Sequence, residues 1–342
     1  MSKHVLVVGG AGYIGSAVTD LLAEAGHEVR VYDCLLWETE YRRVGEKIFP
    51  HSAECGNEIK PVEFIRGDIR DRERLKPHLA WADAVIWLAA LVADGACAMY
   101  PELAVELNNR AVAWFVANYD GRIIFPSTSL AYGIGDAPFT EDAPLRPQTL
   151  YQETKVAAER HLAGRALVLR LATLFGLATS DARPRFDLVP NLFTMRACVG
   201  DVLTVRGGQQ YRGFCHVRDV AQVMADHVGT AIIGPFNLVM ENERIIDLTA
   251  RIQRHVPIAR VDVQPADRSA TGDVRLDATH ARTVLGFQPR HTLDDGIREI
   301  SELVTSGRLR DARSARYSNE ASLKARPLTD AFLKAFPAAS TV

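Results

Sequence analysis

The sequence predicts an α/β protein in which a doubly wound parallel sheet is joined to a smaller C-terminal lobe. Three observations support this prediction. Short apolar runs alternate with helical stretches through the first half, a glycine-rich turn follows the first run, and an aspartate ends the second run. Together they indicate the Rossmann arrangement, in which ligands bind at the carboxyl ends of the strands.

The predicted strands are short and continuously apolar, which is typical of a parallel sheet buried on both faces. An amphipathic stretch from Ile14 to Ala25 is the first crossover helix, and the later connections are long enough to be crossovers. The strands in chain order are VLVVGG (5–10), EVRVYD (28–33), VEFIRGD (62–68), DAVIWLAA (83–90), RIIFPST (122–128) and ALVLRLATLFG (166–176).

The alternation of apolar runs and helical stretches is interrupted after Gly176. A polar loop, ATSDARPRFD, precedes an apolar stretch and a β-like segment, and the pattern then returns to a helix followed by a strand. We expect a Rossmann domain over residues 1–178 with 212–240 returning to it, a second lobe of 179–211 and 241–305, and a tail at 306–342. The charged connection 37–60 is predicted to be a surface loop. The tail, which ends in the helix candidate LTDAFLKAF, is expected to dock on the domain.

Composition excludes several function classes. The chain has 342 residues, 47% of them hydrophobic, with a formal net charge of -2, so no basic field favours nucleic acid or an anionic membrane. Its five scattered cysteines form no CxxC or zinc spacing, which favours a reduced, cytoplasmic protein without a metal site. No secretory signal and no long apolar span are present, so we expect a protein that is neither exported nor membrane-bound.

GGAGYIG at residues 9–15 is the strongest local signal. Gly9, Gly12 and Gly15 occur where a tight turn, close approach to a diphosphate and close helix packing each need glycine. The helix that begins here offers free N–H groups to phosphates. Asp33 follows about 20 residues on, where a carboxylate binds an adenosine ribose and repels a 2′-phosphate. The pattern therefore favours NAD over NADP, the alternative being a glycine-rich turn with no ligand.

TLYQETKVAAER places Tyr151 and Lys155 four residues apart on a predicted helix, with Thr149 as N-cap. Residues at this spacing share one helix face, so the ammonium can lower the phenol pKa and favour a tyrosine base. Taken alone, the motif favours a surface lysine packed beside a tyrosine, because such spacings often match by chance. A hydroxyl cluster, Ser127 to Ser129, ends another strand and can polarise a substrate oxygen.

Six ordered motifs resemble the extended short-chain dehydrogenase/reductases, the NAD-dependent nucleotide-sugar epimerase/dehydratase family. The motifs are GGAGYIG, GDIRD (67–71), LAA (88–90), STSLAYG, YQETK and LRLATLFG, and the resemblance extends to about residue 300. It implies an NAD-dependent enzyme, with Thr128 as the catalytic hydroxyl, Tyr151 as the general acid/base, and Lys155 holding the nicotinamide ribose and depressing the tyrosine pKa. It also implies that the second lobe binds substrate.

The resemblance implies further roles at matching positions. Asp68 and Ile69 would meet the adenine ring, and Asn109 would buttress the active site from its helix. The implied cofactor contacts are Gly9, Gly12, Tyr13, Ile14, Gly15, Asp33, Asp68, Ile69, Leu88, Ala89, Ala90, Asn109, Tyr151 and Lys155. The implied substrate contacts are Ser127, Ser129, Thr173, Arg212 and Arg268, in which the two arginines suit a diphosphate because the guanidinium fork binds phosphate oxygens in pairs.

Departures from the family pattern favour one reaction. Dehydratases need acids directly after the catalytic hydroxyl, and Ser129 and Leu130 are not acids; nor does Leu130 or Ala131 supply the cysteine of 3,5-epimerases. We therefore expect epimerisation of a nucleoside-diphosphate sugar at C4 through a 4-keto intermediate, in a homodimer. The alternatives are a 4-keto-sugar reductase or a dehydratase of the same family, and a non-enzymatic NAD sensor. Thr173, where many epimerases have asparagine, leaves the sugar open.

Overall fold

The computed structural model describes residues 1–37, 43–44, 47–48, 61–136, 138–266 and 272–336, and every structural statement below refers to these residues. The strands are β1 His4–Val8, β2 Glu28–Asp33, β3 Arg43–Val44, β4 Lys47–Ile48, β5 Val62–Arg66, β6 Ala84–Trp87, β7 Arg122–Thr128, β8 Ala166–Leu171, β9 Thr173–Phe175, β10 Val202–Arg206, β11 Tyr211–His216, β12 Gly234–Leu238, β13 Glu241–Arg244 and β14 Arg260–Gln264. The helices are α1 Tyr13–Glu24, α2 Arg72–Trp81, α3 Asp94–Met99, α4 Pro101–Val105, α5 Ala111–Ala117, α6 Leu150–Leu162, α7 Val189–Cys198, α8 Val217–Asp226, α9 Ile245–His255, α10 Thr279–Val284, α11 Leu293–Thr305, α12 Asn319–Ala325 and α13 Asp330–Lys334.

The central sheet has the strand order β12-β8-β7-β6-β1-β2-β5-β4-β3. The strands from β12 to β5 are parallel, and β4 and β3 extend the sheet with antiparallel pairing. The chain winds outward from β1 in both directions, so β1 lies at the switch point with β2 on one side and β6 on the other. The predicted doubly wound parallel sheet is confirmed.

Both faces of this sheet are covered by helices. The four residues from Val5 to Val8 are fully buried, as the continuously apolar run predicted. Val18 of α1 and Val220 of α8 belong to the cluster on one face, while Leu75 of α2 and Phe115 of α5 belong to the cluster on the other. Burying apolar surface on both faces is the main term that stabilises such a sheet.

The run 166–176 was predicted to be one strand, but it forms two strands in two different sheets. β8 stays in the central sheet, whereas β9 pairs with β11, which also pairs with β13. The chain therefore crosses from the central sheet into the second lobe at Ala172, between the two strands. Because β11 belongs to the second sheet, the return to the first domain begins at α8 and not at residue 212.

The second lobe is built on its own apolar core. β10 and β14 form a parallel pair, and helices α7, α9 and α11 contribute Phe193, Leu248 and Ile297 to one buried cluster. The carboxyl ends of the central strands face this lobe across a cleft. In the described part of the chain, every helix is too short or too polar to cross a bilayer.

Candidate active site

A cleft of about 1100 Å³ lies at the carboxyl ends of the central strands, against the second lobe. It brings together nearly all of the residues expected to form the site. Those that line it are Gly9, Gly12, Tyr13, Ile14, Gly15, Asp33, Asp68, Ile69, Leu88, Ala89, Ala90, Ser127, Thr128, Ser129, Tyr151, Lys155, Thr173 and Arg212. Arg268 lies outside the described residues, and Asn109 does not line the cleft.

The glycine turn between β1 and α1 is built so that side chains cannot fill it. Gly9 has a φ of +84°, and a Cβ there would lie 2.6 Å from the backbone nitrogen of Ala89. A Cβ at Gly15 would lie 2.6 Å from the backbone of Gly10. Gly12 is the N-cap of α1 and has no side chain to cap it, so the first-turn amides face the cleft. The turn therefore fits the diphosphate of a dinucleotide.

Asp33 lies beside this turn because β2 is the neighbour of β1. Its carboxylate accepts hydrogen bonds from the backbone N–H of Ala11 at 3.0 Å and of Leu35 at 2.7 Å. Burial raises the pKa of Asp33, and the two backbone bonds oppose that shift. A carboxylate has lone pairs left to accept from a ribose hydroxyl, and a buried negative charge disfavours a 2′-phosphate.

Tyr151 and Lys155 occupy the first turns of α6, which begins as the sequence predicts. The Thr149 side chain accepts from Gln152 N, which confirms the predicted N-cap. The Gln152 side chain reaches Gln148 N at 2.7 Å instead of the N-cap amide. The cap fixes the start of the helix and so sets the direction in which both functional side chains point.

Lys155 is buried and Tyr151 is half-buried, and the surrounding protein shifts the pKa of both side chains. The Lys155 ammonium donates to Pro126 O at 2.5 Å and lies 4.0 Å above the Phe125 ring, while burial lowers the pKa of Lys155 to about 7. Burial also raises the pKa of Tyr151, and the cation that opposes this shift is Arg185. The ammonium is thus engaged on the β7 side, and the expectation that Lys155 depresses the tyrosine pKa stays a prediction.

Three hydroxyls end β7 at the floor of the cleft. Thr128 caps a short 3-10 turn, Ser129–Tyr132, by accepting from Leu130 N at 3.2 Å. That bond uses an oxygen lone pair, so the hydroxyl proton remains able to donate to a substrate oxygen. The Ser127 Oγ is buried and has no hydrogen-bond partner among the described residues. A buried hydroxyl without a partner is costly, which indicates a position that a ligand satisfies.

Asn108, the neighbour of Asn109, is hydrogen-bonded to the segment after β6 and to α6. The Asn108 side chain is 1% exposed; it accepts from Leu91 N at 2.8 Å and donates to Leu91 O at 2.9 Å and Thr154 Oγ1 at 3.3 Å. Asn109 Oδ1 instead contacts His161 Nε2 at 2.9 Å, away from the cleft. The structure therefore does not bring Asn109 to the cleft; both asparagines belong to a π-helical turn, Glu106–Arg110, between α4 and α5.

The sequence model of the NAD dependent epimerase/dehydratase family matches residues 5–228. The chain belongs to this family. It is therefore an enzyme that uses NAD, and the glycine turn, Asp33 and the buried Ser127 fit that cofactor.

Three relatives illustrate the range of the match. UDP-glucose 4-epimerase from Lactobacillus helveticus is 27% identical over 336 residues, covering 86% of this chain and 94% of that protein. UDP-glucuronic acid decarboxylase 1 from Danio rerio is 26% identical over 311 residues, covering 86% of this chain and 71% of that protein. The crystal structure of UDP-glucuronic acid 4-epimerase from Bacillus cereus, with UDP-glucuronic acid and NAD, has a TM-score of 0.72 and 23% identity, covering 89% and 99% of the two chains.

The second lobe of this epimerase/dehydratase supplies cations to the cleft. Arg212 on β11 donates through Nη1 to Tyr211 O at 2.7 Å and Gly272 O at 2.8 Å, which fixes its guanidinium. The polar loop after β9 contributes Arg185 and its ion-pair partner Asp187 at 2.6 Å. Arg183, Arg196 and Arg206 also line the cleft.

The glycine turn of the epimerase/dehydratase is tied directly to the second lobe. The Tyr13 hydroxyl donates to Gly176 O at 2.6 Å, and Asn191 Nδ2 approaches the same hydroxyl at 3.4 Å. Asn191 Oδ1 in turn accepts from Gly176 N at 2.9 Å. Burial raises the pKa of Tyr13 above its ordinary value, so the phenol stays neutral and donates. These hydrogen bonds fix the position of the glycine turn relative to the second lobe.

His216 lies at the end of β11, behind the cleft, and is fully buried. Its Nδ1 accepts from Arg218 N at 3.2 Å, and its Nε2 donates to Glu299 Oε2 at 3.0 Å. The neutral ring, with its proton on Nε2, makes both hydrogen bonds. A second proton on Nδ1 would remove the hydrogen bond from Arg218 N. Burial lowers the pKa of His216 to about 3.

Several cleft residues of the epimerase/dehydratase carry no recognisable sequence signal. Asp94 and Gly95, which begin α3, line the cleft. It is also lined by Trp37, Ser318, Asn319, Glu320 and Phe332, of which the last four come from the tail and reach the cleft only through the tertiary fold.

Proposed function

We propose that the protein is an NAD-dependent epimerase that inverts C4 of a nucleoside-diphosphate sugar through a transient 4-keto sugar. The observation that carries the proposal is the composition of the cleft: Thr128, Tyr151 and Lys155 share it with the glycine turn. Ser129 and Leu130, which follow the hydroxyl, line the same cleft and offer no acid to drive an elimination.

In this proposal each residue has a role at a stated atom. Tyr151 accepts the proton of the sugar O4 hydroxyl through its phenolate oxygen and later returns it. Thr128 donates a hydrogen bond to O4, which stabilises charge on that oxygen. The Arg185 charge opposes the effect of burial on the Tyr151 pKa and so favours the phenolate. The glycine turn and Asp33 would hold NAD, and the cofactor would supply reversible hydride transfer at C4 of the sugar.

The substrate is proposed to be anchored by its diphosphate in the second lobe. Arg212 is half-buried in the cleft and already fixed by two backbone carbonyls, so little rotamer freedom is lost when it binds. Arg268 remains a proposed second phosphate ligand. With the diphosphate held, a keto sugar can turn over while the nucleotide stays bound, which epimerisation at C4 requires. Thr173 and the loop containing Arg185 would contact the sugar.

A second candidate is decarboxylation of a nucleoside-diphosphate uronic acid. It uses the same oxidation at C4, since a 4-keto uronate carries its carboxylate β to the ketone and loses CO₂ readily. Arg185 favours this candidate, because a cation close enough to Tyr151 to affect its pKa can also hold a substrate carboxylate. Two matched relatives are named as uronate decarboxylases. The reductase alternative is less favoured because Asp33 selects NAD.

The test is a panel of nucleoside-diphosphate hexoses and uronic acids incubated with the purified enzyme, with products identified by NMR. Inversion at C4 without loss of mass is expected. Loss of CO₂ from uronates alone would replace the proposal with the second candidate, and loss of water would contradict the interpretation of Ser129 and Leu130. Denatured protein should release about one NAD per chain, because an epimerase keeps its cofactor through the cycle, whereas a reductase exchanges it.

Tyr151→Phe tests the role of the phenol. We expect turnover to fall about 100- to 10,000-fold, the range for a general acid/base, while NAD remains bound. Tyr119→Phe is the matched control, because the Tyr119 hydroxyl donates to Ala82 O at 3.2 Å in the buried core away from the cleft. Wild-type turnover in Tyr151→Phe would refute the proposed chemistry.

We also propose that the enzyme is a cytoplasmic homodimer. Cys34, Cys97, Cys198 and Cys215 are free thiols in the structure, in keeping with a reducing compartment. The surface formed by Asn109 on its helix and His161 on α6 is the proposed two-fold contact. Light scattering on the purified protein, compared with a His161→Glu variant, measures the oligomeric state; a monomeric wild-type protein would refute this part.

A further inference from the structure

Residues 315–336, named here the C-terminal strap, fold back onto the cofactor cleft. The strap contains α12 and α13, and Ser318, Glu320 and Phe332 are among its residues that line the cleft. It follows the second lobe in the chain but packs on the first domain, beside α3 and the segment after β5. The strap therefore covers a site that is formed by distant parts of the sequence.

The first anchor of the strap is Asn319, which is 2% exposed. Its backbone N–H donates to Asp187 Oδ2 at 2.9 Å, and its side chain donates to Val92 O at 3.3 Å. Its Oδ1 accepts from Arg183 Nη1 at 3.0 Å. Three bonds to two different walls of the cleft, of which the one to Arg183 is buried, fix the strap where it enters.

The second anchor is Arg70, which is 6% exposed. Its guanidinium pairs with both carboxylate oxygens of Asp68, at 3.0 and 2.7 Å, and also donates to Phe332 O at 3.0 Å. The guanidinium lies 4.6 Å from the centre of the Phe332 ring. Through this arginine the Phe332 ring is held beside Asp68, at the carboxyl end of β5.

The order of the central strands indicates which part of the cofactor lies there. The glycine turn follows β1 and fits the diphosphate, and Asp33 at the end of β2 fits the adenosine ribose. A dinucleotide placed on these two points extends its adenine ring toward the next strand, β5. Asp68, Ile69 and Phe332 line the cleft at that end.

We propose that Phe332 covers the adenine ring of NAD and that the C-terminal strap closes the adenosine half of the cofactor site. An aromatic face next to a nucleobase supplies stacking area, and Arg70 holds that face in place before the cofactor arrives. No sequence motif connects the tail with the cofactor. The inference rests on NAD as the cofactor and not on the sugar chemistry, so it stands or falls separately from the proposed epimerase function.

The experiment measures how fast bound NAD leaves the holoenzyme. The purified protein is mixed with excess isotope-labelled NAD, and the isotopic composition of bound NAD is followed by mass spectrometry after rapid desalting. Phe332→Ala is expected to speed exchange about 5- to 100-fold, the range for removing one base-stacking contact, and Phe332→Leu less. Phe336→Ala is the matched control, because Phe336 lies 5.4 Å from the same guanidinium but does not line the cleft.

A second measurement separates adenine contact from general damage to the strap. ADP and nicotinamide mononucleotide are used to displace labelled NAD, since only ADP contains adenine. Phe332→Ala should weaken displacement by ADP relative to the mononucleotide by a similar factor, with circular dichroism unchanged. Wild-type exchange in Phe332→Ala, equal acceleration in Phe332→Ala and Phe336→Ala, or an unchanged ratio of the two competitors would each overturn the proposal.

Discussion

Asn108→Ala should both destabilise the protein and slow its chemistry. Asn108 satisfies the N–H and the C=O of Leu91, a residue that is fully buried directly after Ala90 of the cofactor cleft. Truncation leaves the Leu91 N–H buried and unpaired, while its C=O keeps only the weak donor Cys97 Sγ at 3.2 Å. The expected loss of unfolding free energy is therefore about 1–3 kcal/mol. Asn108 also contacts Thr154, between Tyr151 and Lys155, and a small displacement there should lower kcat about 10- to 100-fold.

The assay is urea unfolding at pH 7 and a fixed NAD concentration, combined with steady-state kinetics, because bound cofactor shifts apparent stability. The neighbouring variant Asn109→Ala is the control. Its side chain bonds an exposed partner, so its loss of stability should stay below about 0.5 kcal/mol. Equal effects of the two substitutions, or a larger effect at Asn109, would refute the role given to the Asn108 hydrogen bonds.

Two further predictions concern pH and the glycine turn. Because the pKa of His216 falls from its ordinary value to about 3 in the folded protein, the unfolded chain binds more protons below pH 6.5, and stability falls as the pH drops. Urea unfolding should show wild type losing about 2 kcal/mol more than His216→Gln between pH 7 and pH 5; parallel losses would contradict this. Gly9→Ala should lose NAD during purification, because the new Cβ would lie 2.6 Å from the backbone nitrogen of Ala89. Gly26→Ala is the control, since Gly26 has a similar φ of +79° but open space around it. This control should retain NAD, with a backbone strain of about 1–3 kcal/mol. Absorbance of the released nucleotide measures both; full occupancy in Gly9→Ala would refute the steric argument.

The central sheet was predictable because the amino-acid composition of each strand indicates whether it is buried on one face or on both. A run such as residues 5–8 can be buried on both faces only if it is apolar throughout, and a glycine-rich turn before a helix has few structural uses. The run 166–176 was harder, because nothing local distinguishes one long strand from two short ones. Its division at Ala172 is set by β11, whose pairing with β9 comes from residues about 40 positions later.

The same distinction applies to the site. Tyr151, Lys155 and Thr128 could be named from a spacing and a strand end, because a helix cap and a β-strand fix where such side chains point. The pKa shifts of Tyr151 and Lys155 could not be predicted, because they depend on burial, on the contact of Lys155 with Pro126 O, and on the charge of Arg185 near Tyr151. The different partners of Asn108 and Asn109 could not be predicted either, because both lie in a π-helical turn that adjacent asparagines do not reveal.

The sequence by itself determined the fold class and the cofactor turn, and it placed the candidate side chains Tyr151 and Lys155 on one helix face, because each follows from short-range geometry within one element. Only the tertiary structure decided which asparagine contacts the segment after β6, which cation lies near Tyr151, and that the C-terminal strap with Phe332 returns to the cleft. These features arise where segments far apart in the chain meet, and their contacts are made by packing that no single segment encodes.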